Sequence, residues 1–120
     1  MTKIKTSELE GAALNWAVAK ACGIGVWVKN GRAFQDILGT PDRPCSFWSP
    51  SRMWDQGGPL IERYEVALSP EQFGWEASVY DGGHMNPIDG QGPTPLIAAC
   101  RAIVAAKLGD VVEVPDELTQ

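Results

Sequence analysis

Few residues in this chain of 120 have the type and spacing that chemistry demands. His84 is its one histidine and sits in a glycine-rich stretch, where it is either a solvated turn residue or a base. Cys45 would complete a nucleophilic pair with it, but nothing around Cys45 resembles the helix start or strained elbow that activates a thiol. Cys22, Cys45 and Cys100 lack the close paired spacing of a metal clip, so neither a metal site nor a cofactor is expected. Glu62 and Glu65 stand three apart, which suits a solvated face as readily as a general acid and base. The Gly23-Ile24-Gly25 stretch precedes an expected strand instead of following one, and Val28 stands where a dinucleotide fingerprint needs its third glycine. No residue is assigned a catalytic role.

Three places suit binding better. The run Gly90-Gln91-Gly92-Pro93 leads into Thr94 at an expected helix start, where free backbone N–H groups and the helix dipole favour an anion. Pro93 and Pro95 carry no N–H, which removes donors from such a cradle. Trp54 and Asp55, followed by Gln56, Gly57 and Gly58, set an aromatic face beside a carboxylate in a flexible stretch. Such a tryptophan is either a ligand wall or a lid on the core, and Trp48 is open to the same two readings. Arg101 has Ile97, Ala98, Val104 and Ala105 as helical neighbours, so its guanidinium needs a partner inside the fold, for instance the carboxylate of Glu62, or else a ligand.

The elements that position these residues follow from hydrophobic periodicity. Ser7 and Glu10 form a capping box ahead of Leu9, Ala12, Ala13, Trp16 and Ala19, which predicts a helix over residues 7–21 with Trp16 buried between helices and Glu8 and Asn15 projecting to one flank. Residues 24–29 read as a strand ending at the Asn30-Gly31 turn. Prolines and glycines punctuate residues 32–58, which read as a long loop region with one helical turn at residues 33–38. Pro59 would open another short helix. Residues 66–68 and 75–80 read as an antiparallel pair, and residues 81–92 as a glycine-rich loop. Thr94 then caps, Pro95 opens and Gly109 closes a helix that is apolar nearly all round.

These elements amount to one α+β domain: a small three-stranded antiparallel sheet with two main helices on one face, in the order α-β-β-β-α. Its core would draw on residues 7–30 and 59–114, with a short tail at 115–120. The order resembles the double-stranded RNA-binding fold, whose members hold phosphates with lysines at the start of the last helix. Thr94, Pro95, Leu96 and Ile97 stand there in this chain, so duplex RNA is not an expected partner.

A net charge of −5 likewise opposes nucleic acid and anionic membranes, which attract basic surfaces. An odd count of three separated cysteines suits a reducing compartment, and no apolar run reaches the length of a membrane span. A cytoplasmic protein is expected. Loops folded over the last helix would make it a monomer; the competing expectation is a symmetric dimer with a second copy covering that helix.

Three separated stretches carry a family resemblance: K-I-K-T-S-E-L-E-G-A-A-L-N-W-A-V-A-K from Lys3, W-D-Q-G-G-P-L-I-E-R from Trp54, and G-P-T-P-L-I-A-A-C-R-A-I-V-A-A-K-L-G-D from Gly92. Together they resemble the NinX family of lambdoid phages, a family of unknown function. The resemblance implies a phage or prophage accessory protein in a bacterial cytoplasm and brings no reaction with it. With no catalytic set, a non-enzymatic module that binds a host or phage protein through Trp48 or Trp54 is the leading expectation. The alternative is a small-molecule or nucleotide site at Gly92 and Thr94 walled by Trp54 and Asp55.

Overall fold

The computed structural model of the chain describes residues 1–36, 45–80 and 87–119, with backbone only at 36, 45 and 46. His84 and the Cys45 side chain therefore lie outside the described residues. In chain order the elements are β1 (Thr2–Lys5), a 3-10 turn at Thr6–Glu8, α1 (Gly11–Cys22), β2 (Val26–Lys29), β3 (Arg32–Asp36), β4 (Cys45–Phe47), α2 (Trp54–Arg63), β5 (Ala67–Glu71), β6 (Gly74–Val79), β7 (Ile88–Gly92), α3 (Pro95–Leu108), β8 (Val111–Val114) and a closing 3-10 turn at Asp116–Leu118.

The α+β class stands, but the single sheet and the α-β-β-β-α order do not. The strands form three antiparallel sheets, β1-β8, β2-β3-β4 and β5-β6-β7. Among them α3 lies on β6 and β7, while α1 packs on α3, β3 and β8, so the two helices do not share one face of one sheet.

The last helix forms as its signals require. Thr94 Oγ accepts from the Ile97 N–H at 3.1 Å, Pro95 opens the helix and Gly109 receives its end. The capping box of Ser7 and Glu10 does not form: α1 begins at Gly11, and Glu10 precedes it in extended backbone without a side-chain cap. Pairing with the far end of the chain decides this. Beyond the β1–β8 ladder the Thr6 N–H donates to Asp110 O at 2.8 Å and the Thr6 hydroxyl to Gly109 O at 2.6 Å, and those bonds hold residues 6–8 in a turn.

The expected loop over residues 32–58 is largely structured. Asn30 and Gly31 both have positive φ, 53° and 71°, the backbone of a two-residue hairpin turn, so residues 32–36 return as a strand beside β2 instead of forming a helical turn. Pro59 lies inside α2, five residues after its start, and costs that helix an internal hydrogen bond. Tertiary contact compensates: Leu60 is buried, and a methyl group built on Gly57 would come within 2.4 Å of Pro50 O and 2.7 Å of the Leu96 side chain. The latter contact seats α2 against the start of α3.

Residues 88–92, part of the expected glycine-rich loop, are a strand because a helix backbone lies on them. A methyl group at Gly90 would meet Ala102 N at 2.4 Å and Ala98 O at 2.7 Å. Alanines along α3 and glycines along β7 thus let helix and strand approach more closely than larger side chains allow. The buried cluster joins Leu9, Leu14, Trp16 and Val18 with Ala98, Cys100, Ile103, Val104 and Val114. Trp16 is buried as expected, with the Lys20 ammonium 5.4 Å above its ring.

Candidate functional site

Trp48 is a lid. It is only 4% exposed, and its indole N–H donates to Asn15 O at 2.8 Å, so it is not available as a binding anchor. Asn15, on a flank of the Trp16 face, is buried beneath Trp48. Its side chain accepts from the Ser51 N–H at 3.1 Å and the Ser51 hydroxyl at 2.7 Å, and donates to Ser49 Oγ at 3.3 Å. A polar side chain in the middle of an apolar helix is tolerated here because the segment over it brings matching groups.

Gln56 and Gly57 are also structural. The Gln56 amide accepts from the Ser49 N–H and donates to Phe47 O, both at 2.6 Å, which fixes α2 to the segment before it. Trp54 faces the other way. It is 56% exposed at the first turn of α2, beside the exposed Met53 and Asp55, while Phe47, whose backbone carbonyl accepts from Gln56, is 45% exposed. Phe47 in turn packs edge-on to Phe34 with ring centres 5.9 Å apart. Gly58 lies against the Trp54 ring side, with open space otherwise.

A second concave region lies elsewhere. A cleft of about 1030 Å³ runs between Glu71–Glu76 and Asp89–Pro93 on one side and Lys5–Ser7 with Asp110 and Val111 on the other, with Arg101 at its base. Arg101 has no tie to Glu62: its Nε donates to Leu9 O at 2.9 Å and its Nη1 to Gln91 O at 2.8 Å. Burial pulls its pKa below the usual guanidinium value, and the nearby Glu10 carboxylate partly offsets that. Gly92 lines this cleft, but Thr94, Trp54 and Asp55 do not, so the residues of the expected nucleotide site are not gathered into one pocket. The Thr94 hydroxyl already occupies one of the helix-start N–H groups that an anion would use.

Sequence reasoning missed Phe47, Met53 and Phe73. Phe73 is 90% exposed at the turn between β5 and β6. An aromatic side chain in a turn sequence beside Gly74 was the signal available.

The family described as bacteriophage P22 NinX matches residues 5–107. The chain belongs to that family. No curated protein matches it.

Within this NinX-family chain the two cysteines whose side chains are described are placed for packing. Cys22 and Cys100 are buried free thiols; burial raises the pKa of both, that of Cys100 to about 12, which is the opposite of nucleophile activation. Tyr64 lies over Cys22 and is itself raised, first by burial and then by its hydrogen bond to that thiol, with Arg63 and Lys107 5.1 and 5.5 Å from its ring centre. Among the described residues no cluster of three or more His, Cys, Asp or Glu side chains could hold a metal ion, and no helix is long and apolar enough to cross a membrane.

Proposed function

We propose that this NinX-family phage protein acts in the bacterial host cytoplasm as a non-enzymatic module that binds a host or phage protein, with Trp54 as its principal anchor. The observation that carries the reading is the 56% exposure of Trp54 on a helix whose other side is fixed by Leu60, Gly57 and Gln56. An aromatic side chain held on rigid backbone loses little conformational freedom on binding, and such residues dominate interface energetics. Met53 and Phe47 extend the apolar area, and Asp55 gives it a polar margin.

The test is Trp54→Ala in a partner-capture experiment from phage-infected cells, with crosslinking to map the contact. A hot spot of about 2 kcal/mol predicts roughly 30-fold weaker binding of the captured protein. Equal affinity of wild type and variant for that protein would refute the assignment. At a net charge of −5, retention on DNA or RNA at low salt is not expected.

A further inference from the structure

We infer that the outer edge of β7 receives an extended, basic segment of a partner protein as an added strand, a surface separate from Trp54 and independent of it. The argument begins at Pro70, which has no N–H yet pairs with Trp75 in the β5–β6 ladder. That pair must then be one of the non-hydrogen-bonded pairs, so Glu71↔Gly74 and Ser69↔Glu76 are the hydrogen-bonded ones. Backbone groups alternate sides along a strand, so Trp75, Ala77 and Val79 direct theirs toward β7, where they meet Gly92, Gly90 and Ile88. The remaining β7 residues, Asp89 and Gln91, must direct their N–H and C=O groups away from the sheet. The Arg101 bond to Gln91 O agrees with this direction.

Three backbone groups, the Asp89 N–H and C=O and the Gln91 N–H, are thus presented at an edge with no strand beside it among the described residues. The edge opens onto the cleft of about 1030 Å³, room for several residues of extended chain at about 3.3 Å each. β5, at the other edge of the sheet, is different, for Pro70 blunts it. Proteins usually protect a free edge, and this one instead lies in a groove with exposed Phe73 and Val111 at its margins.

Charge selects the occupant. Glu71, Glu76, Asp89 and Asp110 line the cleft against two cations, Lys5 and Arg101, and Arg101 donates to two carbonyl oxygens while the carboxylate that acts on it, Glu10, does not line the cleft. Side chains of an added strand alternate between faces, so lysine or arginine at alternate positions would meet the carboxylates, while apolar residues between them meet Phe73 and Val111.

The probe is a blocked octapeptide of alternating lysine and valine, with amide hydrogen exchange read residue by residue on the intact protein. At saturating peptide the Asp89 and Gln91 amides should exchange at least tenfold more slowly. Glutamate in place of lysine should weaken binding at least tenfold. N-methylation of the alternate amides that face β7 should abolish it, and N-methylation of the other set should not. Gln91→Pro removes one outward donor and the side-chain bond to Glu76 while keeping the backbone bonds to β6, and should weaken binding about tenfold in a protein that still folds. Unslowed exchange at both amides in millimolar peptide, or equal binding of both N-methylated forms, overturns the inference. Protection found around Trp54 instead would overturn it too, while leaving the Trp54 anchor intact.

Discussion

Gly90→Ala isolates the close packing of β7 against the backbone of α3. The added methyl group would lie 2.4 Å from Ala102 N, 2.7 Å from Ala98 O and 2.9 Å from Ala102 Cα, all backbone atoms of α3. Ordinary contact begins near 3.4 Å, so helix and strand must separate by about 1 Å, since no side chain can swing aside. Overpacking of this kind costs about 2 to 3 kcal/mol, and a gap of that size also forfeits part of the dispersion between the two surfaces. With an unfolding entropy of about 0.25 kcal/mol/K for a chain of this length, the melting temperature should fall by about 8 to 12 °C. Gly58→Ala is the control: its nearest neighbour would be 4.0 Å away in the Trp54 ring, and alanine is the better helix former by up to about 1 kcal/mol. Calorimetry on both variants decides the matter. A Gly90→Ala protein that melts with the wild type, or one destabilised no more than Gly58→Ala, would refute the account of why β7 is built from glycine.

Asn15→Ala should cost about 2 to 4 kcal/mol in urea unfolding, because it strands the buried Ser51 N–H and hydroxyl under Trp48, and a loss below 1 kcal/mol would show that water replaces the amide. Thr94→Ala should cost about 1 kcal/mol through the lost cap, and Thr94→Ser should recover most of it in the same assay. The Asp116 carboxyl is held below its ordinary 3.8 by the Thr2 hydroxyl first and then by the amino terminus. A depressed carboxyl stabilises fully above its unfolded value and loses that effect as pH falls through the lowered one. Protection of the β1–β8 amides, relative to their intrinsic exchange rates, should therefore fall below about pH 4 in the wild type, and Asp116→Asn should remove that extra step. If the step persists in the variant, another group governs it.

How much of this was legible from sequence depends on whether the deciding force was local. Thr94, Pro95 and Gly109 bound α3 by their own chemistry, and the Asn30-Gly31 turn needed no distant partner to form. Residues 54–58 read as loop, with a helix expected only from Pro59, because two glycines and a proline oppose an earlier start, and Pro50 and Leu96, brought there by the fold, reverse the balance. Ile88–Gly92 failed as a strand for the same reason in reverse: its glycines look like loop until α3 is laid on them. At the candidate sites, Trp54 stands out in the sequence as an aromatic residue in a polar stretch, and the structure leaves it exposed. Arg101 was rightly singled out as needing an internal partner, but two backbone carbonyls leave no trace in composition, so a carboxylate was sought in their place.

The pairing of β1 with β8 has a temporal side. Thr6 and Gly109, joined through a hydroxyl, are 103 residues apart in sequence. A chain leaving the ribosome amino end first can form α1 and the hairpins as they emerge, yet this seam has no second half until the segment after α3 is made. Closing so long a loop carries a large entropic cost that local contacts do not offset, so the seam should be the last joint to set and the first to open. Exchange at the Thr2–Lys5 amides would then follow a smaller opening energy than exchange in α3, and the ends of the protein would breathe together while its centre stays shut.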